Sequence, residues 1–234
     1  MNKKDFSALL KNTKGFLLDF DGVIVNSYKT GINFFYNYLK KFIPTIEVNF
    51  ITDYYRITNG FSNLRRIELL FESFGIIQHS EDVFQEFKRY QNTKRHYKGI
   101  AITINTGFSQ FKEICNLKGL ELKIFSANSP EQLSQFNEIN DISIYDIKNK
   151  SKIDFKTYKE LIKDTGINPG KWIHIDDDPL ILSISKLSGF NTVLMRNNIF
   201  LKKYITSYIH FIDWNIKSFC QLSKKITFLN NKGG

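Results

Sequence analysis

The stretch GFLLDFDGVIV, residues 15–25, decides the fold class. A glycine and three apolar residues lead directly into Asp19, Phe20 and Asp21. A short uninterrupted apolar run that ends in a polar loop is typical of a strand buried on both faces of a parallel sheet. We therefore predict a buried strand over residues 15–20 whose carboxyl end presents the two aspartates to a loop.

The chain after residue 99 repeats this pattern. Apolar segments typical of short strands alternate with segments of helical periodicity, with strands predicted within 121–130, 142–147, 171–179 and 191–195 and helices at 109–119, 155–166 and 180–189. Strands separated by helices imply a parallel sheet with right-handed crossovers. The sequence thus predicts an α/β fold, a Rossmann-like parallel sheet with helices on both faces.

The residues between the first strand and this region have helical patterns throughout. Helices are predicted at 33–43, 48–57, 62–75 and 81–97, the third of them capped by Ser62. We predict that residues 26–98 form a small helical domain inserted after the first strand, while residues 1–25 and 99–234 form the core domain. Hinges are expected near Gly22–Asn26 and Gly99–Asn105.

Composition excludes several classes of protein. Hydrophobic residues make up 42% and charged residues 24% of the 234 residues, which are ordinary globular values. Cys115 and Cys220 form no CxxC motif and no disulfide framework, which favours a reducing compartment. Neither a signal-peptide pattern nor a run of about 18 apolar residues is present. We expect a cytoplasmic protein with no membrane partner.

The net charge of +10 raises nucleic acid as a partner. Residues 195–234 hold seven Lys or Arg and one Asp. This basic tail has no recognised nucleic-acid-binding motif. The Lys-rich, Ala-poor composition of the whole chain explains the positive charge without a nucleic-acid partner. Nucleic acid is therefore not the expected partner, although a binding module that uses the basic tail stays open as an alternative function.

Polar side chains follow three of the predicted strands: Asp19 and Asp21, then Ser126 and Asn128, then Asp176, Asp177 and Asp178. In open parallel sheets, ligands bind beyond the carboxyl ends of the strands. Carboxylates that converge there repel one another unless a cation lies among them, and Mg²⁺ prefers such oxygen ligands. A serine hydroxyl can donate to a phosphate oxygen, and Lys150 or Lys152 can neutralise the phosphate.

These segments resemble, in order, the four motifs of the haloacid dehalogenase-like (HAD) superfamily. They are FLLDFDGV (16–23), KIFSAN (123–128), a lysine before the helix at 155–166, and WIHIDDDP (172–179). The resemblance covers residues 15 to about 195, and the helical insertion matches the cap of the phosphoglycolate phosphatase and β-phosphoglucomutase-like members. The second aspartate of DFDGV favours phosphate chemistry over dehalogenation.

The resemblance implies roles for individual residues. Asp19 is the expected nucleophile, and Asp21 the general acid and then base. The implied cofactor is Mg²⁺, and the implied metal ligands are Asp19, the backbone carbonyl of Asp21, Asp177 and, as a second acidic ligand, Asp176. The implied phosphate-binding residues are Ser126, Ala127, Asn128 and Lys152, of which Lys152 is favoured by its spacing to Gly166 while Lys150 stays open. Asp178 is expected to cap the helix that starts near Pro179.

The expected activity is hydrolysis of a small phosphorylated metabolite by a Mg²⁺-dependent phosphatase, in a monomer or homodimer. A sugar phosphomutase of the β-phosphoglucomutase type is the alternative enzyme. The cap is expected to act as a lid whose Arg65 or Arg66 contacts the substrate. His174, in the interior of a predicted strand, is expected to be a packed core residue.

Overall fold

The computed structural model describes most of the chain, namely residues 6–58, 61, 63–96, 103–128, 130–147, 150–196 and 202–228. The chain divides into two compact units, Met1–Val25 with Ile104–Gly234, and Asn26–Thr103. The second boundary lies five residues after the predicted one. Ser62 and residues 97–102, which include the predicted helix cap and part of the predicted second hinge, lie outside the described residues.

The first unit is built on a parallel sheet of six strands in the order β5-β4-β1-β6-β7-β8. Two short strands, β2 and β3, form a separate sheet. The bounds are Gly15–Leu18 (β1), Val25–Asn26 (β2), Thr103–Ile104 (β3), Glu121–Ser126 (β4), Ser143–Asp146 (β5), Trp172–Asp176 (β6), Asn191–Met195 (β7) and Trp214–Ile216 (β8). Because β1 lies between β4 and β6, the three strands whose ends carry the predicted site are neighbours.

Helices flank this sheet and make up the second unit. Those of the first unit are Phe6–Lys11 (α1), Phe108–Leu117 (α6), Pro130–Leu133 (α7), Phe155–Thr165 (α8), Pro179–Leu187 (α9), Lys202–Ser207 (α10) and Phe219–Phe228 (α11). Those of the second unit are Tyr28–Leu39 (α2), Val48–Ile57 (α3), Asn63–Phe74 (α4) and Ser80–His96 (α5). No helix among the described residues is both long and apolar enough to cross a membrane.

Successive residues of β1 pack on opposite faces of the sheet, as the period of a strand requires. Leu17 belongs to a buried cluster with Tyr158 of α8. Phe16 contacts Phe111 of α6 with ring centroids 5.1 Å apart, and Phe111 contacts Phe219 of α11 at 4.9 Å. Both faces of the strand are therefore covered, which confirms the predicted layered α/β architecture.

The basic tail contributes to the core. Its described residues include the edge strand β8 and the helix α11, whose Phe219, Leu222 and Ile226 are buried. Lys225 lies with its Nζ 5.0 Å from the centre of the Trp214 ring. Much of this segment is thus an integral part of the fold, and Lys224 and Lys225 of α11 are exposed.

The second unit has an aromatic core in which Arg66 is buried. The Arg66 guanidinium lies 4.4 Å from the centre of the Tyr55 ring, and its Nε donates to the carbonyl oxygen of Thr58 at 3.0 Å. A second nitrogen donates to Asn63 Oδ1 at 3.3 Å. These contacts weigh against the expected substrate contact of Arg66, because two of its donors are bonded inside the helical unit.

We expect Arg66→Ala to lower the free energy of unfolding by about 2 kcal/mol, because it strands the acceptors that the guanidinium serves. Arg65 on the same helix is the matched control, since its exposed guanidinium pairs with Glu68 and Glu72 on the surface. Arg65→Ala should leave the melting temperature nearly unchanged. Arg66→Ala with normal stability but a raised KM for substrate would restore the recognition role.

Candidate active site

The ends of β1 and β6 are joined by a backbone hydrogen bond at the start of the site. The amide of Asp19 donates to the carbonyl of Ile175 at 3.0 Å. This bond holds Asp19 beside the last residue of β6, Asp176. The chain then turns sharply through Gly22, which has a φ of 85° that favours glycine. Asp19 thus lies at the start of a short loop that is held by backbone hydrogen bonds.

Three buried carboxylates meet at this edge of the sheet. Asp19, Asp176 and Asp177 each offer one oxygen, and these oxygens all lie within 4.8 Å of one another. The carboxylate of Asp21 is not a member of this group. Its predicted metal contact is through the backbone carbonyl, which stays a prediction.

Lys152 is the lysine that the structure brings to the carboxylates. Its buried Nζ contacts Asp19 Oδ1 and lies 3.0 Å from Asp176 Oδ2. Lys150, the alternative, pairs instead with Glu160 at a partly exposed position. The centre of the Phe125 ring lies 5.6 Å from Lys152 Nζ, so the ring makes a cation–π contact with the ammonium group.

The loop before α8 explains why Lys152 and not Lys150 is directed inward. Thr157 Oγ1 donates to the carbonyl of Ser151 at 2.9 Å, and Asp154 caps the helix by accepting from the amide of Lys156. These bonds fix the backbone on both sides of Lys152. The Lys152 side chain therefore starts from a fixed backbone position from which its ammonium group reaches the carboxylates.

Asn128 links the end of β4 to the loop after β1. Its Nδ2 donates to Asp21 Oδ2 and, at 3.2 Å, to Ser126 Oγ, while its backbone amide donates to the same Oγ at 3.1 Å. Ala127 lies at the exposed turn between them. Asn128, Ser126 and Asp21 therefore form one hydrogen-bonded arrangement in which Asn128 orients the Asp21 carboxylate.

Asp178 is the N-cap of α9, as predicted. Its Oδ1 accepts from the amide of Leu180 at 2.8 Å, and Pro179 follows as the first helical residue. The amide of Asp178 donates to Asp176 Oδ1 at 2.9 Å. The cap thus fixes one oxygen of the neighbouring carboxylate.

Two supporting residues had no signal in the sequence that marked them. The backbone amide of Asn105 donates to the carbonyl of Ile24 at 2.8 Å, and its side-chain Nδ2 donates to the carbonyl of Val23 at 2.6 Å. These two bonds hold the loop after β1 in place. Phe125, which lies beside Lys152, has the sequence pattern of an ordinary strand residue.

His174 is fully buried, as expected, and burial lowers its pKa to about 3.

The charge balance of the cluster suits a divalent cation. Burial raises the pKa of Asp19 to about 8, although Lys152 opposes the rise. With all three carboxylates ionised and Lys152 charged, the buried group has two negative charges in excess. Its ligand atoms are carboxylate oxygens, the donor type that Mg²⁺ prefers. The residues present therefore fit a magnesium ion.

The raised pKa of Asp19 predicts how the stability of the metal-free protein depends on pH. Between pH 3.8 and about 8 the folded state keeps a proton that the unfolded chain releases, so the free energy of unfolding falls as pH rises. His174, with its pKa lowered from 6.5 to about 3, has the opposite effect below pH 6.5. The decline should therefore be clearest from about pH 6.5 to 8.

Thermal melts in EDTA across this pH range test the prediction. Mg²⁺ requires the ionised carboxylate, so the rise in melting temperature that it produces should be larger near pH 8 than at pH 6.5. Asp19→Asn is the control and should flatten both trends. Parallel wild-type and Asp19→Asn profiles would contradict the assignment of the slope to Asp19.

A comparison with solved structures finds the same architecture over almost the whole chain. A Bacteroides vulgatus protein assigned to the β-phosphoglucomutases matches with a TM-score of 0.75 at 14% identity, covering 97% of each chain. A Haemophilus somnus protein assigned as a phosphoglycolate phosphatase matches at 0.70 and 16% identity, over 91% of this chain and 97% of that one. A HAD hydrolase of family IA from Entamoeba histolytica matches at 0.67 and 15% identity, over 94% and 100%.

The chain has the haloacid dehalogenase-like fold. The resemblance found in the four sequence motifs is thereby confirmed at the level of the fold. No protein-family model and no curated protein matches the sequence. In the HAD-like fold of this chain, the four motif segments converge on one edge of the sheet, and the assignment of a reaction depends on the side chains gathered there.

Proposed function

We propose that the chain is a Mg²⁺-dependent phosphatase that hydrolyses a small phosphorylated metabolite through an aspartyl-phosphate on Asp19. The proposal rests on one observation, the contact between a cluster of three buried carboxylates and one buried lysine. Asp19 and Asp176 share the ammonium of Lys152, and Asp177 completes the group. This arrangement pairs a nucleophile with a cationic partner for phosphate.

The proposed reaction has two steps. Asp19 attacks phosphorus, the bond from phosphorus to the ester oxygen breaks, and Asp21 donates a proton to the departing alkoxide. Asp21 then takes a proton from water, whose oxygen attacks phosphorus and releases Asp19 and inorganic phosphate. Asn128 holds the Asp21 carboxylate for both proton transfers.

Asp19, Asp176, Asp177 and the Asp21 carbonyl are the proposed ligands of Mg²⁺. When bound, the ion neutralises charge on the phosphoryl group. Lys152 and the hydroxyl of Ser126 are proposed to hold the phosphate oxygens together with Ala127 and Asn128 in the turn after β4. Each of these residues lies in the first unit, at or just after the end of a strand or before α8.

A sugar phosphomutase is the second candidate, favoured by the likeness to a protein assigned to the β-phosphoglucomutases. It would use the same residues and return the phosphate to a sugar. The two activities separate experimentally, because a mutase requires a bisphosphate primer and releases little inorganic phosphate. Lid closure by residues 26–98, a cytoplasmic location and a monomeric or homodimeric state stay predictions of the proposal.

The direct test is a panel of phosphorylated metabolites, scored for released phosphate with Mg²⁺ and with EDTA. We expect at least one sugar phosphate or small phosphorylated acid to be hydrolysed, and EDTA to abolish the release. Isomerisation that depends on added bisphosphate would favour the mutase. Salt-sensitive DNA binding with no turnover of any phosphate ester would favour the binding-module alternative.

A further inference from the structure

His174 is a buried polar residue that the proposed mechanism does not use. It lies in β6 two residues before Asp176, so both side chains project from the same face of the sheet. The rings of Phe125, Tyr158 and Phe190 surround the imidazole with centroids 5.8, 6.0 and 6.5 Å away. An imidazole in an aromatic enclosure needs a reason, because an apolar side chain would fill the space without a polar atom to satisfy.

Neither ring nitrogen of His174 has a hydrogen-bond partner within the described part of the chain. The polar group that the ring does face is the carboxylate of Asp176, whose Oδ2 lies 3.6 Å from Nε2. This separation is slightly longer than a hydrogen bond, so the two groups must come a few tenths of an ångström closer to form one. The imidazole therefore faces Asp176, one of the proposed metal ligands, from within the core.

The two oxygens of Asp176 are supported differently. Oδ1 accepts from the amide of Asp178, which is fixed by the cap of α9. Oδ2 contacts Lys152, whose ammonium group is also proposed to bind phosphate. If the Lys152 ammonium group turns toward phosphate, the imidazole of His174 still faces Oδ2 of Asp176.

We propose that His174 is a positioning residue that donates from Nε2 to Asp176 and holds that carboxylate in the orientation needed to share a cation with the other two aspartates. This inference rests on the proposed function, because it requires a cation in the site. Residues that hydrogen-bond to metal ligands typically change metal affinity by about 10- to 100-fold when they are removed.

The test compares three substitutions by calorimetric titration with Mg²⁺ alone. His174→Gln places an amide nitrogen near the position of Nε2, whereas His174→Asn reaches only as far as Nδ1 and His174→Leu has no donor. We expect His174→Leu and His174→Asn to weaken Mg²⁺ binding about tenfold or more, and His174→Gln to stay close to wild type. Phe190→Leu controls for loosened packing around the ring and should leave Mg²⁺ affinity unchanged.

The outcomes separate this inference from the proposed function. If wild type binds Mg²⁺ and hydrolyses phosphate esters while His174→Leu and His174→Asn bind Mg²⁺ equally well, the positioning role alone is overturned. Equal losses in the Gln and Asn variants, or in Phe190→Leu, would assign the effect to packing and also overturn it. If wild type binds no Mg²⁺, the metal site fails and this inference fails with it.

Discussion

Asp19→Asn is expected to lower turnover of every phosphate ester by at least about 10³-fold while the protein stays folded. An amide cannot form an acyl-phosphate and is a poorer ligand for Mg²⁺ than a carboxylate. The fold should survive because the amide has nearly the same shape and because burial already disfavours the ionised form of Asp19, raising its pKa to about 8. Phosphate release and circular dichroism of the same sample check both parts.

Asp178→Asn is the matched control for this change. Asp178 is equally buried and lies next to the acidic group, but its Oδ1 accepts from the amide of Leu180 as a helix cap. Asparagine caps helices as well as aspartate does, so most of the turnover should remain. Near-normal turnover in Asp19→Asn, or equal losses in the two variants, would remove Asp19 as the nucleophile.

Lys152→Met is expected to have the largest effect on stability. It leaves the buried carboxylate of Asp176, and that of Asp19 whenever it is ionised, without their shared counter-charge. Removing one partner of a buried ion pair costs about 3 kcal/mol or more, which for a chain of this size corresponds to a fall of at least roughly 6 to 12 °C in melting temperature. Turnover should also fall sharply, and Mg²⁺ should recover part of the lost stability because it supplies positive charge to the same carboxylates.

Lys150→Met provides the comparison, since the two lysines are two residues apart on the same loop. Its ion pair with Glu160 is partly exposed, and such pairs contribute about 0 to 1 kcal/mol. Melts in EDTA and in Mg²⁺, with phosphate release, should show a large loss for Lys152→Met alone. A larger loss of activity in Lys150→Met would reverse the assignment of the phosphate-binding lysine.

Much of the sheet could be predicted because its information is local. The strand β1 is an uninterrupted apolar run, and Asp19 follows it directly, so the position of the candidate nucleophile can be inferred without the fold. The same holds for Ser126 and for the acidic residues after β6. Parallel strands then bring these ends to one edge whatever the detailed packing.

Elements without such a pattern were misplaced or missed. The helix α2 begins at Tyr28, five residues before the predicted start. The low helix propensity of Thr30 and Gly31 concealed its first turn from prediction. Gly31 is needed there, since a Cβ atom would overlap the hydroxyl group of Tyr55. The edge strand β8 has three residues and no alternation long enough to recognise.

Most side-chain partners depend on the fold. The spacing to Gly166 favoured Lys152 but left Lys150 open, and the fold separates the two lysines through the turn that Thr157 fastens. Arg66 looks like any surface arginine until the fold places it over Tyr55. The substrate is beyond prediction for the same reason, because the groups that contact its non-phosphate part form no motif.

The most direct test of the central claim is to trap the phosphorylated protein. Wild type is mixed with ³²P-labelled acetyl phosphate and Mg²⁺, quenched in acid, digested and mapped by mass spectrometry. We expect label on the peptide that contains Asp19, removable by hydroxylamine as an acyl-phosphate is, and no label in Asp19→Asn. Turnover of acetyl phosphate with no protein-bound label, or with label on another residue, would contradict it.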